Sequence, residues 1–141
     1  RFVADAAIKN MIAVGQSPKK SKVVILGLTF KENCPDTRNS KVDDIIKRLN
    51  EFEIYPVIVD PWANESDAMH EYGVTLTKLE NIKGADCIIV AVAHNEFKAL
   101  KLDDIKKLYR ECADKEKVLL DVKGIYKVEE LNKSGMKYWR L

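Results

Sequence analysis

Apolar residues in this chain follow two kinds of pattern, which alternate along its length. The first is a short unbroken apolar run, typical of a strand that is buried on both faces of a parallel sheet. Strands of this kind are predicted at residues 23–26, 54–59, 87–92 and 118–122. A shorter run at residues 136–139, after Gly135, predicts a strand at the edge of the sheet.

The second pattern repeats every three or four residues, as one face of a helix does. It predicts an opening helix that Gly15 stops, and a helix that begins near Ser40, which has the spacing of a capping box with Asp43. Further helices are predicted at residues 65–72, 79–82, 102–112 and 128–132, and a short additional strand is a candidate at 74–76.

Strands that alternate with helices at this spacing indicate an α/β fold with a doubly wound, mostly parallel, Rossmann-like sheet, preceded by an N-terminal helix. The predicted organisation is a helix over residues 1–16, a polar and basic linker over 17–22, and one α/β domain over 23–141. The sequence has no initiator methionine and opens directly in a helical pattern. We therefore expect a fragment of a longer polypeptide.

The composition narrows the classes of function. The 24 lysines and arginines are nearly balanced by 22 aspartates and glutamates, and both are interspersed along the chain, which argues against a nucleic-acid partner. No apolar run approaches the roughly 18 residues of a membrane span. The three cysteines have no paired spacing, which favours a reducing compartment, so we expect a cytoplasmic protein.

One polar loop carries the candidate chemistry. It leaves the first strand at Gly27 and leads to the helix near Ser40. Ligands of open parallel sheets bind where strands end and helices begin, because helix N-termini present free N–H groups and a partial positive charge. Lys31 and Arg38 add cations that suit the oxygens of a phosphate ester. Phe30 has two open roles, packing in the core or supporting a ring of the ligand.

The other candidate residues are more isolated. Gly27 stands alone where a dinucleotide fingerprint needs three glycines, so Asp60, at the end of the second strand, is expected to bond local backbone rather than a ribose. His94 follows the central strand and is a candidate for lining the site. Cys34 has no histidine nearby in sequence, so it is not expected to be a catalytic nucleophile. His70 and His94 lack the spacing of metal ligands, so we expect no metal. No complete catalytic set is present.

The loop also carries a recognisable signature. Over residues 27–40 (GLTFKENCPDTRNS) it meets every fixed position of G-x-x-F-K-x(4)-D-x-R-x-S, and so resembles the C-terminal domain of the UDP-glucose/GDP-mannose dehydrogenase family. The resemblance extends over essentially the whole chain. Residues 59–61 are similar to the strand-end acid and proline of that family, and residues 91–94 (AVAH) are similar to members that act on UDP-N-acetylhexosamines.

The resemblance implies a full-length NAD-dependent nucleotide-sugar 6-dehydrogenase, which oxidises the C6 hydroxyl of a UDP-sugar to a carboxylate in two hydride transfers for polysaccharide precursor synthesis. Residues 1–16 then correspond to the end of an interdomain helix, and residues 23–141 to the nucleotide-sugar-binding domain. NAD would be held mainly by an N-terminal domain, and the catalytic cysteine would lie in a central domain, both outside this chain. The fragment alone is therefore expected to be inactive, and the full-length protein to be a homodimer.

The resemblance also assigns roles to individual residues. Phe30 and Lys31 become substrate contacts, with Lys31 near the pyrophosphate, and Arg38 reaches across a cleft to NAD. Lys123 stands where UDP-glucose members carry an arginine pair, and is the candidate to take over that contact with the substrate. The alternative interpretation is a non-catalytic, Rossmann-like module that binds a nucleotide or CoA.

Overall fold

The computed structural model describes residues 2–141. Its strands are β1 Val23–Leu26, β2 Val57–Val59, β3 Cys87–Val90, β4 Val118–Asp121 and β5 Lys137–Arg140. They form one sheet in the order β2-β1-β3-β4-β5, and every neighbouring pair is parallel. The chain moves from β1 outward to β2 and then returns to place β3 on the other side of β1. This arrangement confirms the doubly wound sheet.

Six helices lie between or before the strands in the described part of the chain. Their bounds are α1 Phe2–Ala13, α2 Val42–Glu51, α3 Glu65–Tyr72, α4 Asn95–Lys98, α5 Leu102–Lys106 and α6 Val128–Ser134. Short 3₁₀ turns occur at Leu79–Asn81 and Asp114–Glu116. The predicted helix over 65–72 is confirmed to the residue, because Asn64 accepts a hydrogen bond from the N–H of Asp67 at its start and Gly73 is left-handed at its end.

The sheet separates two layers of buried apolar side chains. Successive strand residues point to opposite faces, so Val23 and Ile25 of β1 contribute to one layer and Val24 and Leu26 to the other. The first layer is covered by α1, α2 and Ala68 of α3, and the second by side chains from α4, α5 and α6. All four residues of β1 are buried, which explains why its sequence is apolar without alternation.

The helix predicted over 79–82 is the 3₁₀ turn Leu79–Asn81, and two further helices differ from the prediction. The helix predicted over 102–112 ends at Lys106, because Ala85 forms a parallel bridge with Tyr109 and its N–H donates to the Leu108 carbonyl at 3.1 Å. This pairing with the segment before β3 competes with helix formation. The capping box at Ser40 is not formed either, since α2 begins at Val42 and the Ser40 hydroxyl accepts from the N–H of Val42 at 3.1 Å.

The bounds of the predicted strands are also adjusted, most clearly in the segments around β2. The second strand begins at Val57 rather than at residue 54, after Pro56, which has no N–H to donate to a neighbouring strand. Segment 74–76 makes a single parallel bridge, between Leu76 and Ile58, at the outer edge of β2. Among the described helices none combines the length and apolar character needed to cross a membrane.

Candidate functional site

The β1–α2 loop, residues 27–41, leaves the sheet where β1 and β3 lie side by side. This is the switch point of a doubly wound sheet, where ligands bind outside the carboxyl ends of the strands. Gly27 permits the close approach of the two strand ends. A Cβ atom added at Gly27 would lie 2.5 Å from the Cβ of Val92, and its φ of 112° favours glycine.

Asp60 anchors the start of the β1–α2 loop from the end of β2. Its Oδ2 accepts hydrogen bonds from the backbone N–H groups of Leu28 and Thr29, at 2.6 and 2.9 Å. Its Oδ1 accepts from the N–H of Trp62 at 2.8 Å. The side chain is fully buried. The prediction that Asp60 bonds local backbone is therefore confirmed.

The charge of Asp60 is stabilised by these donors. Burial alone would raise the pKa of the carboxyl, but hydrogen bonds from the His94 ring and from the two loop N–H groups outweigh that effect and lower its pKa below the ordinary aspartate value. Asp60 is thus a carboxylate whose lone pairs are occupied by the protein. Its chemistry is structural, since it holds the loop against the sheet.

His94 lies beneath the loop and does not present its ring to a ligand. The side chain is 0% exposed, and the N–H of Asn33 donates to Nδ1 at 2.9 Å. Since a backbone N–H can only donate, the ring proton lies on Nε2, which donates to Oδ2 of Asp60 at 3.0 Å. The expectation that His94 lines the site is therefore corrected, because burial and both hydrogen bonds make it a support of the loop.

Two further residues in this network escaped sequence reasoning. The Thr29 hydroxyl donates to the carbonyl of Lys31 at 3.1 Å and lies 3.1 Å from Nε2 of His94. Asn33 adopts a left-handed conformation with φ of 54°, and its side-chain oxygen accepts from the N–H of Asn95 at 3.0 Å. The only signal in the sequence was that Asn is common at left-handed positions.

Phe30 and Lys31 are exposed on the β1–α2 loop. Of the two roles left open for Phe30, packing in the core is wrong, since 53% of the residue is accessible. Lys31 is exposed as well, and it forms no ion pair within residues 2–141. The N–H of Phe30 donates to the Asp36 carbonyl at 2.8 Å, which closes the tip of the loop. An aromatic ring and an ammonium group therefore stand together at the carboxyl edge of the sheet.

Arg38 lies on the far limb of the same loop. Its Nε and Nη2 donate to the two carboxylate oxygens of Asp36, at 3.1 and 3.2 Å, while 77% of the side chain remains exposed. The guanidinium lowers the pKa of the Asp36 carboxyl. This pairing orients Arg38 at the surface but leaves much of its fork free to meet a second group.

The base of that limb is fastened by Tyr72, another residue that the sequence did not single out. The tyrosine hydroxyl donates to the Thr37 carbonyl and accepts from the N–H of Ser40, the latter at 3.0 Å. Both ends of the loop are therefore tied to neighbouring elements, one end through Asp60 and the other through Tyr72.

Lys123 lies at the same edge of the sheet, two residues after β4. Asp121, at the end of that strand, is fully buried and accepts from the N–H groups of Ile125 and Tyr126, at 3.0 and 2.9 Å. Lys123 is exposed on the turn that Asp121 organises. Next to it, a Cβ at Gly124 would lie 2.8 Å from the guanidinium of Arg140. The edge of β4 and β5 therefore carries two cationic side chains.

His70 lies apart from the loop tip, exposed on α3, whereas Cys34 is half-buried within the tip. No group of three or more metal-ligating side chains occurs within the described residues. A cleft of about 680 Å³ lies beside β2, α4 and α5, with an apolar floor that includes Leu79, Phe97 and Leu108, and neither Phe30 nor Lys31 lines it.

Together, the sheet order and the loop define a class of protein, a doubly wound α/β domain with an exposed aromatic-plus-cation loop at its switch point. Such a loop suits a phosphorylated ligand with a flat ring, as a nucleotide has. The profile of the UDP-glucose/GDP-mannose dehydrogenase family, UDP binding domain, matches residues 24–128. The chain belongs to this family.

Individual relatives agree with the family match. The chain is 43% identical over 122 residues to a UDP-N-acetyl-D-glucosamine 6-dehydrogenase of Pseudomonas aeruginosa, covering 86% of this chain and 28% of that protein. It is 37% identical over 120 residues to a UDP-N-acetyl-D-mannosamine dehydrogenase of Methanococcus vannielii, covering 84% of this chain and 26% of that protein. The chain thus spans just over a quarter of the length of these curated relatives.

Solved structures share the fold. An NDP-N-acetyl-D-galactosaminuronic acid dehydrogenase from Methanosarcina mazei superposes with a TM-score of 0.84 at 22% identity, over 99% of this chain and 28% of that chain. A UDP-D-ManNAc dehydrogenase from Pyrococcus horikoshii gives a TM-score of 0.77 at 24% identity, over 99% of this chain and 29% of that chain. These superpositions support the Rossmann-like fold.

Proposed function

We propose that this chain binds the UDP portion of a UDP-sugar through the tip of the β1–α2 loop. The observation that carries the proposal is the exposed pair Phe30 and Lys31, held at the switch point by the buried Asp60 and His94. The Phe30 ring offers a flat apolar surface to the nucleoside. The Lys31 ammonium is a compact charge that suits the pyrophosphate. Lys123, at the same edge of the sheet, is proposed as a second cation for the substrate.

We further propose that the full-length protein is an NAD-dependent UDP-sugar 6-dehydrogenase that oxidises the C6 hydroxyl to a carboxylate. Most of the relatives that align over more than four fifths of this chain carry dehydrogenase names, and several are named for UDP-N-acetylhexosamines. We infer that class of substrate, and a role in supplying polysaccharide precursors in the cytoplasm. NAD would supply the hydride acceptor and be held mainly by residues outside this chain.

The domain arrangement follows from the same proposal. Residues 1–16 would be the end of an interdomain helix, 17–22 a linker, and 23–141 the UDP-sugar-binding domain, with the N-terminal and central domains of a homodimeric enzyme as partners. Arg38 suits a contact with NAD across the cleft between this domain and the NAD-binding domain, because 77% of its side chain is exposed and Asp36 orients it. The chain by itself would have no dehydrogenase activity.

The proposal is tested first by calorimetric titration of the chain with UDP and, separately, with NAD. We expect UDP to bind and NAD not to bind. Lys31→Ala should weaken UDP binding at least tenfold, since a charge-assisted contact contributes about 1.5–3 kcal/mol. The matched control is Lys133→Ala, which removes an exposed lysine of α6 on the side of the sheet where β5 begins.

Other results would point elsewhere. Tight binding of NAD to this chain, or UDP binding that Lys31→Ala leaves intact, would contradict the assignment. Binding of CoA in place of UDP would favour a non-catalytic module. NADH formation by the full-length protein with a panel of UDP-sugars then identifies the sugar.

A further inference from the structure

His94 joins three segments that meet at the switch point. Its ring takes a hydrogen bond from Asn33 in the β1–α2 loop and gives one to Asp60 at the end of β2. It also precedes α4, whose Phe97 ring lies 5.5 Å away, and the ring of Trp62 stacks on its other side at 6.1 Å. The imidazole is thus enclosed, and both nitrogens have fixed partners.

We propose that His94 is the positioning residue of the β1–α2 loop, and that only its neutral form with the proton on Nε2 holds the loop tip in its binding geometry. Asn33, two residues after Lys31, is the point of attachment. Its φ of 54° turns the chain back there, so its place determines where the tip lies. The effect on UDP affinity rests on the proposed function, whereas the effect on the loop does not.

The directions of its two hydrogen bonds explain why only this neutral form of His94 fits the loop. Nδ1 accepts from the Asn33 N–H, so a proton added to Nδ1 would place two donors face to face at 2.9 Å. The loop would then have to move away, while the bond from Nε2 to Asp60 would remain. Uptake of a proton at Nδ1 of His94 would therefore release the loop at Asn33 without releasing Asp60.

The charged groups around the ring are few. Asp60 touches it directly, from β2. Glu96 of α4 lies beyond Trp62 and accepts a hydrogen bond from the indole at 2.9 Å. From the loop side the ring meets Thr29 and the Asn33 backbone, and the ammonium of Lys31 is exposed.

Two substitutions remove the two hydrogen bonds of the His94 ring one at a time. His94→Gln places an amide near the Nε2 position, so it keeps a donor for Asp60 and removes the acceptor for Asn33. His94→Asn places an amide near the Nδ1 position and does the reverse, so it serves as the conservative rescue. The matched control is His70→Gln, because His70 is the other of the two histidines and is exposed on α3.

The first measurement is nuclear magnetic resonance on the nitrogen-15-labelled chain. At pH 7.5 we expect the His94 ring to carry its proton on Nε2 and the Asn33 amide to be protected from hydrogen exchange. Protection of the Asn33 amide should fall about tenfold in His94→Gln, and also in the wild type when His94 takes up a proton. It should be retained in His94→Asn and His70→Gln. A proton on Nδ1 at pH 7.5 would overturn the proposal, and so would Asn33 protection that is unchanged when wild-type His94 is protonated. The wild-type titration decides the matter if a variant fails to fold.

The second measurement is UDP affinity between pH 5.5 and 8. A terminal phosphate itself titrates in this range, so the informative quantity is the difference between the wild-type and variant profiles. We expect His94→Gln to bind UDP several-fold more weakly at pH 8 and to lose part of the pH dependence, with His70→Gln following the wild type. If UDP does not bind the wild-type chain at all, the proposed function fails while the exchange data still judge the role of His94.

Discussion

Asp60 is the residue whose removal should destabilise the candidate site most. Its buried carboxylate accepts from Leu28, Thr29 and the His94 ring. Asp60→Asn replaces an acceptor with a group that also donates, so a buried donor is left without a partner. We expect the free energy of unfolding to fall by about 3 kcal/mol at pH 7. Urea denaturation measures this value, with Asp103→Asn on the exposed surface of α5 as the control.

The same residue should give the chain a pH-dependent stability. The folded-state pKa of Asp60 lies below the value of about 3.9 for an unfolded aspartate, so its contribution is complete above about pH 5 and is lost as the pH falls further. The difference between wild type and Asp60→Asn should therefore shrink from pH 7 to pH 3. An equal difference at both pH values would show that the charge of Asp60 contributes nothing.

Single residues were predictable to different degrees. Lys31 and Arg38 could be recognised as exposed cations because long loops that follow a strand lie at the protein surface. The position of His94 could not, since an imidazole at a strand end fits a ligand site and a buried hydrogen-bond network equally well. The partners that decide between them, Asn33 and Asp60, are 61 and 34 residues away in sequence.

At the scale of elements, the approach of β1 to β3 depends on Gly27. Gly27→Ala would bring a Cβ to 2.5 Å from the Cβ of Val92 and to 2.8 Å from its backbone nitrogen, at a φ of 112°. We expect a loss of about 3 kcal/mol or more in the free energy of unfolding. Gly84→Ala is the matched control, because its φ of 73° is also positive but its Cβ would meet nothing within 4 Å.

Thermal and urea unfolding of the two glycine variants give the comparison. Gly84→Ala should cost about 1 kcal/mol, from backbone strain alone. Equal losses in the two variants would mean that the contact with Val92 is relieved by movement of the strand ends. UDP binding by Gly27→Ala then reports whether the loop has moved with them.

The lengths of the elements show where local pattern is overridden. The apolar periodicity that predicted a helix through residue 112 is real, but Leu108 and Tyr109 pair with Ala85 instead. Helix 65–72 was predicted correctly because its start and stop signals, Asn64 and Gly73, act within the segment itself. Local signals therefore set the ends of helices only where no distant backbone competes.

At the scale of the whole molecule, α1 is part of the same body as the sheet. Met11, Ala4 and Ala7 of α1 are fully buried in the first core layer. Met11→Ala should lower the free energy of unfolding of the entire chain by about 2–5 kcal/mol, because it leaves a cavity in that layer. Met69→Ala is the control, since Met69 is 48% exposed on α3.

Urea unfolding followed by two probes tests this prediction. Tryptophan fluorescence reports on Trp62 and Trp139, which lie in the sheet region, and far-ultraviolet circular dichroism reports on all helices. Both probes should shift together in Met11→Ala. A separate early transition in the circular dichroism alone would show that α1 unfolds independently of the sheet.

The fold class, the order of the elements and the signature loop could be derived from the amino-acid sequence alone. These follow from periodicity and from motifs within short segments, where the physical causes are local: burial on two faces for strands, one apolar face for helices, and capping or left-handed residues at the ends. Lys31 and Arg38 were singled out as loop cations on the same basis, and Phe30 was left with two open roles, whereas Lys123 was named only from the resemblance to the family.

The residues that hold that loop in place could be recognised only in the folded molecule. Asp60, His94 and Tyr72 come from three different connections, and they meet the loop because parallel strands and their crossovers bring distant segments to one edge of the sheet. Hydrogen-bond partners at such separations leave no periodic trace in the sequence. For this protein, the exposed cations of the loop could be singled out from a short segment of sequence, whereas the network that positions the loop required the assembled sheet.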